Sequence, residues 1–403
     1  MRILLVLLLA VCLLTAAPLA AQEPTGTPAV NAAPYRINGY FASWAIYDRQ
    51  YFVTNIPADK LTDLTYAFAA VSDSDEITFL DQWADTEYPY PGDKDSALLK
   101  GNFHQLQILK AAHPQLQTLI SIGGWTGSAK FSDVALTQAS RDKFASSVVA
   151  FVTKYGFDGV DIDWEYPTGD GDPGNVTRPE DKDNFVLMLA DLRSQLDAQG
   201  AKDSHHYLLT IALSADKGDY TPLDWTKITP LLDWINVMTY DMAGDWSDVT
   251  GFNSPLYGTS SELSVDATIS GLLALGVPAN KLLLGAPFYG RGWSGAGSQN
   301  SGLNQPYKSI PQGTSEQGSY DYWDLAAHYI GKYQRFWSEA AQVPWLYDAK
   351  SGTMISYDDP QSLAGKAEYV RGQGLGGMMV WELSEDTPDS ALLTAIYNKL
   401  SAP

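Results

Sequence analysis

The sequence predicts an α/β fold, a (β/α)8 barrel, on three observations. Short β-rich runs recur eight times along the 403 residues, longer helical patterns separate most of them, and one of these patterns ends at a glycine shortly before the next strand. Gly156 stands at the end of one such helical pattern, 140–155, as a C-cap before the next strand. Parallel strands that alternate with helices in this way close into a barrel when there are eight of them. The predicted strands are 36–41, 63–69, 117–122, 159–162, 207–212, 234–238, 282–286 and 376–380.

One interval between predicted strands is much longer than the others. About ninety residues separate the seventh predicted strand from the eighth, and they are rich in Trp and Tyr. A loop of that length without structure of its own is improbable in a compact domain. We therefore predict a small α+β insertion at 291–370, beside the C-terminal mouth of a barrel made of 35–290 and 371–403.

The N-terminus has the pattern of a secretory signal peptide. Arg2 precedes an apolar run at 3–17, and small residues lead to a cleavage site near Ala21. The alternative, a membrane anchor, is disfavoured because the run is shorter than the ~20 residues that span a bilayer. Residues 22–34 are predicted to be a flexible lead-in. Cleavage would leave a secreted, membrane-free chain without its one cysteine, Cys12.

Charge and composition exclude some partners. The chain has 26 Lys and Arg against 47 Asp and Glu, a net charge of −21. That charge repels nucleic acids and anionic membrane surfaces. The 12 Trp, 23 Tyr and 13 Phe suit a protein that stacks aromatic rings on a neutral ligand.

The most informative segment, 157–167, carries alternating carboxyl groups. Asp161, Asp163 and Glu165 share one face of the predicted strand, because side chains alternate along a strand. In a barrel this face is the interior, so Glu165 is expected at the open C-terminal mouth and Asp161 deepest. Carboxyl groups this close resist ionising together, so a proton is retained for acid catalysis.

The spacing alone leaves two alternatives open. Three carboxylates can also ligate a cation, or they can have a purely structural role. Asp158 has the opposite parity and is expected to make hydrogen bonds where the strand begins.

The motif Asp158-x-x-Asp161-x-Asp163-x-Glu165 resembles the signature of the family 18 glycoside hydrolases, the chitinase family. Segments at the ends of other predicted strands resemble the same family in matching order, and the resemblance extends over the chain from Tyr35. The insertion resembles that of the bacterial and animal branch. The further segments are 40–41, 66–69, 121–125, 238–241, 285–291 and 376–382.

The resemblance implies a retaining mechanism in which the 2-acetamido group of the substrate is the nucleophile. By this likeness Glu165 is the general acid and then the general base. Asp163 holds the acetamido group and shares a proton with Asp161. Tyr240 donates its hydroxyl to the acetamido oxygen, and Asp241 contacts both the sugar and the acid.

The resemblance also implies a sugar-binding wall, with Trp381 as its floor. Core packing is the alternative role for Phe68 and Met238. The other matching positions are Tyr40, Phe68, Trp125, Met238, Tyr289 and Arg291.

These implications make the expected function that of a secreted, endo-type chitinase. It would act as a monomer on chitin or on β-1,4-linked oligomers of N-acetylglucosamine, with no metal or cofactor. The alternatives are an endo-β-N-acetylglucosaminidase, a peptidoglycan or spore-cortex hydrolase, and a non-catalytic chitin-binding lectin. The presence of Glu165 disfavours the lectin.

Overall fold

The computed structural model describes residues 35–94, 96–169, 171–258 and 263–402. The predicted signal peptide and lead-in, 1–34, lie outside the described residues. The strands are β1 Arg36–Ala42, β2 Asp63–Val71, β3 Ile77–Phe79, β4 Gln117–Gly123, β5 Gly159–Asp163, β6 Leu208–Ser214, β7 Trp234–Met238, β8 Leu282–Pro287, β9 Tyr289–Trp293, β10 Ser319–Asp321, β11 Gln334–Ser338, β12 Val343–Asp348, β13 Thr353–Ser356 and β14 Gly377–Trp381.

All but the last of the helices lie between these strands. They are α1 Gly101–Ala112, α2 Phe131–Leu136, α3 Gln138–Tyr155, α4 Asp181–Asp203, α5 Lys217–Tyr220, α6 Trp225–Ile228, α7 Val265–Ala274, α8 Tyr322–Asp324, α9 Pro360–Gln373 and α10 Ala391–Leu400. In the part of the chain that the structure describes, no helix has both the length and the apolar character to cross a membrane.

Eight parallel strands close into a barrel, as predicted. Their order is β1-β14-β8-β7-β6-β5-β4-β2, and pairing between β1 and β2 closes the ring. Each observed strand begins and ends within two residues of its prediction. The short strand β3 was not predicted, and it pairs antiparallel to β2 outside the ring.

A second, antiparallel sheet occupies the long interval between β8 and β14. Its order is β10-β9-β13-β12-β11, and with α8 it forms the α+β insertion that the sequence predicts. Backbone hydrogen bonds join it to the barrel mouth, from Phe288 N to Trp381 O at 2.7 Å and from Tyr322 N to Phe288 O at 2.9 Å. The domain limits at 291 and 370 stay a prediction.

The two faces of β5 show how the barrel is filled. On the outer side, the ring of Trp164, the residue after the strand, stacks on Phe131 of α2 at 5.5 Å and meets Phe185 of α4 edge-on at 5.7 Å. On the inner side, Asp161 and Asp163 are buried. The interior beneath the mouth is therefore polar, in contrast to the branched apolar residues that usually fill such barrels. Its buried polar side chains include Asn38, Thr65, Ser121, Thr210 and Asn236.

Candidate active site

Asp161 is the deepest of the three carboxyl residues, and hydrogen-bond donors surround it. Its Oδ2 accepts hydrogen bonds from the hydroxyls of Tyr40 at 2.8 Å and Ser121 at 2.7 Å. Its Oδ1 accepts from Thr210 Oγ1 at 2.6 Å and from Asn236 Nδ2 at 3.1 Å. Burial raises the pKa of Asp161, and these four hydrogen bonds act against that rise. Donors from four other strands thus converge on one carboxyl group.

Asp163 lies on the same face of β5, one pleat nearer the mouth, and its surroundings differ. Its Oδ1 is buried and has no hydrogen-bond partner among the described residues. Burial raises the pKa of Asp163 well above its usual range, and the charges of Glu165 and Asp161 raise it further. A carboxyl group in this setting keeps its proton at a pH where an ordinary aspartate is charged.

Glu165 follows the end of β5 and is 9% exposed. Two side chains hold its backbone: its N–H donates to Ser128 Oγ at 2.9 Å, and its carbonyl oxygen accepts from Asn175 Nδ2 at 2.9 Å. Burial raises the pKa of its carboxyl group to about 7, which a hydrogen bond from Tyr166 opposes and the charges of Asp241 and Asp219 support. The raised pKa keeps a proton available on Glu165 near neutral pH, as a general acid requires.

Tyr240 follows β7 and presents a hydroxyl with little to bond to. Its one hydrogen bond within the described residues is to Met379 Sδ, at 3.8 Å. A thioether is a weak acceptor, so the proton is available to a ligand oxygen. Burial, together with the negative charges of Asp163, Asp241 and Glu165, raises the pKa of Tyr240 well above its usual range. The hydroxyl therefore stays a donor.

Asp241 adopts a left-handed backbone conformation, with φ of 56°, and its neighbours hold it there. Its N–H donates to Asn253 Oδ1 at 2.9 Å. Its Oδ1 lies 2.8 Å from Arg291 Nε and 2.7 Å from Arg291 Nη2. The same guanidinium lies over the rings of Tyr289 and Trp246, at 5.1 and 5.2 Å from their centroids. Arg291 is thus fixed between a carboxylate and two aromatic faces.

Several of the side chains predicted to bind sugar lie around Trp381, where β14 ends. The indole stacks on Phe68 at 5.7 Å and lies 5.5 Å from Tyr40 and 6.4 Å from Trp44. Phe68 is only 7% exposed, so packing beneath the wall accounts for most of its surface. Tyr40, Phe68, Met238, Tyr240, Tyr289 and Trp381 all belong to one apolar cluster.

Trp125 stands apart from this cluster. It is 48% exposed, and its ring lies 6.5 Å from that of Tyr166, the residue after Glu165. The structure thus places Trp125 on an open surface beside the acid.

Comparison with known proteins agrees with this geometry. The model for glycosyl hydrolases family 18 matches residues 36–386. The chain belongs to glycoside hydrolase family 18. It is 41% identical to Chitinase A1 of Niallia circulans over 96% of this chain, and 34% identical to Endochitinase 1 of Metarhizium robertsii over 95%. Among solved structures, Chitinase ChiA74 from Bacillus thuringiensis superposes with a TM-score of 0.87 at 40% identity and covers 92% of this chain.

The relatives differ in length. The chain spans 60% of the Niallia protein and 89% of the Metarhizium protein. It covers 70% of the ChiA74 chain.

Several residues that support this family 18 site were not among the predicted ones. Ser121, Thr210 and Asn236 bond to Asp161, and Asn253 positions Asp241. Asn236 could have been recognised from the sequence, because a single amide at the centre of an apolar strand needs a buried hydrogen-bond partner. Ser121, Thr210 and Asn253 are far in sequence from the residues that they bond to, so these pairs can be recognised only once the barrel is known.

The arrangement of these side chains does not match the cation site that the carboxyl spacing left open. Within the ranges that the structure describes, no three His, Cys, Asp or Glu side chains are grouped as ligands of one metal ion. Both oxygens of Asp161 are already occupied by protein donors.

Proposed function

We propose that this chain is a secreted, endo-type chitinase that hydrolyses β-1,4 links in polymers or oligomers of N-acetylglucosamine. The observation that carries the proposal is the buried acid Glu165, whose pKa of about 7 keeps a proton available at the barrel mouth. The chitinase names of the relatives support this substrate class. The exposed and half-buried indoles of Trp125 and Trp381 offer the apolar faces on which pyranose rings stack.

In this mechanism Glu165 donates its proton to the glycosidic oxygen as the bond from that oxygen to the anomeric carbon breaks. The acetamido oxygen of the same sugar forms a new bond to the anomeric carbon, giving an oxazolinium ion. Glu165, now a carboxylate, then removes a proton from the water that opens this ring. Two displacements at the anomeric carbon restore its original configuration, so the product has the same anomeric configuration as the substrate.

The neighbouring residues hold the acetamido group in the attacking position. Asp163, between Asp161 and Glu165, binds its N–H and stabilises the positive charge that develops there. Tyr240 donates its hydroxyl to the acetamido oxygen, and the raised pKa of Tyr240 keeps the proton on this donor. Asp241, fixed by Arg291, contacts the sugar and supports the high pKa of Glu165.

Two further features complete the proposal. The basic, apolar and small-residue pattern of the first 21 residues supports export followed by cleavage near Ala21. We further propose that the mature chain works as a monomer with chitin or its oligomers as partner.

Digestion of N-acetylglucosamine hexamer by the wild type and by Glu165→Gln tests the function. The wild type is expected to release short oligomers that are initially β-anomers. Glu165→Gln keeps the shape of the side chain and loses the acid, so we expect hydrolysis to fall by at least about 10²-fold while oligomer binding is kept. Chromatography that resolves anomers measures both products and configuration.

Glu180→Gln is the matched control, since it makes the same chemical change at an exposed position before α4. Its products should equal those of the wild type. Binding without cleavage by the wild type would indicate a lectin. Cleavage of glycopeptides or cell walls, with chitin oligomers intact, would indicate one of the other hydrolases. Undiminished hydrolysis by Glu165→Gln would remove Glu165 from the role of acid.

A further inference from the structure

A series of buried, hydrogen-bonded side chains at the barrel centre leads from Trp234 to Asp161. It begins at Trp234, on the inner face of β7, whose indole N–H donates to Asn236 Oδ1 at 3.0 Å. Asn38 Nδ2 donates to the same oxygen at 3.1 Å. Trp234 is 1% exposed and Asn236 is fully buried, so water does not compete for these bonds.

The chemistry of the indole fixes the orientation of the amide. An indole N–H can only donate, so the atom of Asn236 that faces Trp234 must be the oxygen. The NH2 group of Asn236 must then face the other way. There it lies 3.1 Å from Asp161 Oδ1 and 3.1 Å from the hydroxyl oxygen of Tyr40.

The orientation of the amide in turn fixes the hydroxyl of Tyr40. Because that oxygen accepts a hydrogen bond from Asn236, its own proton is directed to Asp161 Oδ2, 2.8 Å away. Each oxygen of Asp161 thus faces one group that must donate to it. Each also accepts from a hydroxyl, that of Ser121 on Oδ2 and that of Thr210 on Oδ1.

A proton on Asp161 would disrupt this arrangement. The O–H group of a protonated Asp161 would need an acceptor, and the NH2 group of Asn236 cannot accept a hydrogen bond. If Ser121 or Thr210 accepted instead, that hydroxyl would lose the acceptor of its own proton in the described structure. Asp163, by contrast, has a buried oxygen with no donor aimed at it.

We infer that Trp234 and Asn236 are positioning residues that hold Asp161 in its charged form and so place the proton of the three-carboxyl column on Asp163. This inference deepens the proposed function and, in its catalytic meaning, rests on it. In the free enzyme a neutral Asp163 separates the buried charge of Asp161 from the general acid. Asp163 offsets the positive charge of the oxazolinium ion only after the shared proton has passed to Asp161. The directions of the pKa shifts agree, since hydrogen bonds oppose the rise at Asp161, whereas the charges of Glu165 and Asp161 add to the rise at Asp163.

Carbon-13 NMR of protein labelled at the aspartate side-chain carboxyl carbon tests the charge placement without any need for activity. Asp161→Asn and Asp163→Asn identify the two resonances. We expect the Asp161 carbon of the wild type to titrate at lower pH than the Asp163 carbon. The reverse order, with Asp161 protonated while Asp163 is charged, would overturn the inference.

Trp234→Phe tests the positioning role, because it removes the N–H that fixes the amide of Asn236. We expect the titration of Asp161 to move to higher pH, by about one unit if the hydrogen bond from Asn236 is lost in full. The acid limb of the rate profile on N-acetylglucosamine hexamer should move in the same direction, since the charged form of Asp161 is lost sooner as pH falls. An unmoved Asp161 resonance in a folded Trp234→Phe protein would exclude the role of Trp234.

Asn236→Leu is the second variant, and it removes the donor itself. Asn102→Leu is the control, because Asn102 is equally buried and bonds to Tyr66 and Tyr90 on the outer side of the barrel. It should lower stability and leave the titration of Asp161 unchanged. If neither inner variant folds, the order of titration in the wild type still decides the inference. If the wild type cuts no chitin oligomer, the proposed function fails while the NMR result stands by itself.

Discussion

At the residue scale, the proton on Glu165 depends on its charged neighbours as well as on burial. The pKa of about 7 includes contributions from the negative charges of Asp241 and Asp219. A general acid must be protonated, so activity is expected to fall as pH rises through that value. Asp219 also accepts a hydrogen bond from Thr168 Oγ1 at 2.9 Å, and no sugar-binding role is assigned to it.

Asp219→Asn should therefore lower the pKa of Glu165 and move the alkaline limb of kcat/KM to lower pH. A shift of half a unit would leave about threefold less protonated Glu165 on the alkaline side. Rate profiles on N-acetylglucosamine oligomers from pH 4 to pH 9 measure the limb. Asp183→Asn, an exposed change on α4, is the control and should leave it in place. An alkaline limb of kcat/KM that moves to higher pH in Asp219→Asn would contradict this electrostatic account.

Sequence reasoning at this scale found the acids and Tyr40 but missed the other three donors to Asp161. Alternation along one strand was enough to place Asp161 and Asp163 on the inner face, because both residues belong to the same local segment. The donors to Asp161 stand between 40 and 121 residues away in sequence, and only barrel closure brings them together. The orientation of the Asn236 amide needs Trp234 as well, and no periodicity encodes it.

At the element scale, the end of α3 shows a conformational requirement that the sequence did predict. Gly156 has φ of 79° as the C-cap, and its N–H donates to Val152 O at 3.0 Å. A Cβ at this position would meet nothing closer than Gln107 Nε2, at 3.8 Å. A side chain at position 156 would therefore destabilise the fold through backbone strain and not through a steric clash.

Gly156→Ala should lower the free energy of unfolding by about 1 kcal/mol, because an L-residue is strained in the left-handed region. Gly365→Ala is the matched comparison. It lies within α9, has no atom within 4 Å of its added Cβ and has an ordinary helical φ, so we expect it to stabilise by about 0.5–1 kcal/mol. Denaturant titration measures both. Equal effects of the two substitutions would contradict the conformational argument, and neither should alter the pH profile.

The barrel strands could be predicted from the sequence, whereas β3 and the strand order of the second sheet could not. The eight barrel strands were found because each is a short apolar run and helices of different period separate most of them. The strand β3 has three residues, too few to show alternation. The order β10-β9-β13-β12-β11 depends on pairing between segments such as β9 and β13, about sixty residues apart, which turn residues do not specify.

At the scale of the whole molecule, the net charge of −21 bears on which polymers approach the site fastest. An N-acetylglucosamine oligomer is neutral, so the field of the protein does not steer it. Free amines on a partly deacetylated oligomer are positively charged in mild acid, and a strongly acidic protein attracts them. Such steering weakens with salt because the Debye length falls from about 30 Å at 0.01 M to about 3 Å at 1 M.

We therefore expect kcat/KM on N-acetylglucosamine hexamer to change by less than about twofold between 20 and 500 mM NaCl, since the site is buried and the substrate is uncharged. On a partly deacetylated hexamer that is still cleaved, kcat/KM should fall by about tenfold over the same range, mainly through a higher KM. Initial rates at one mildly acidic pH measure both substrates with one enzyme preparation, so any effect of salt on folding cancels in the ratio. Equal salt responses would mean that the surface charge of the chain lies too far from the barrel mouth to steer a ligand into it.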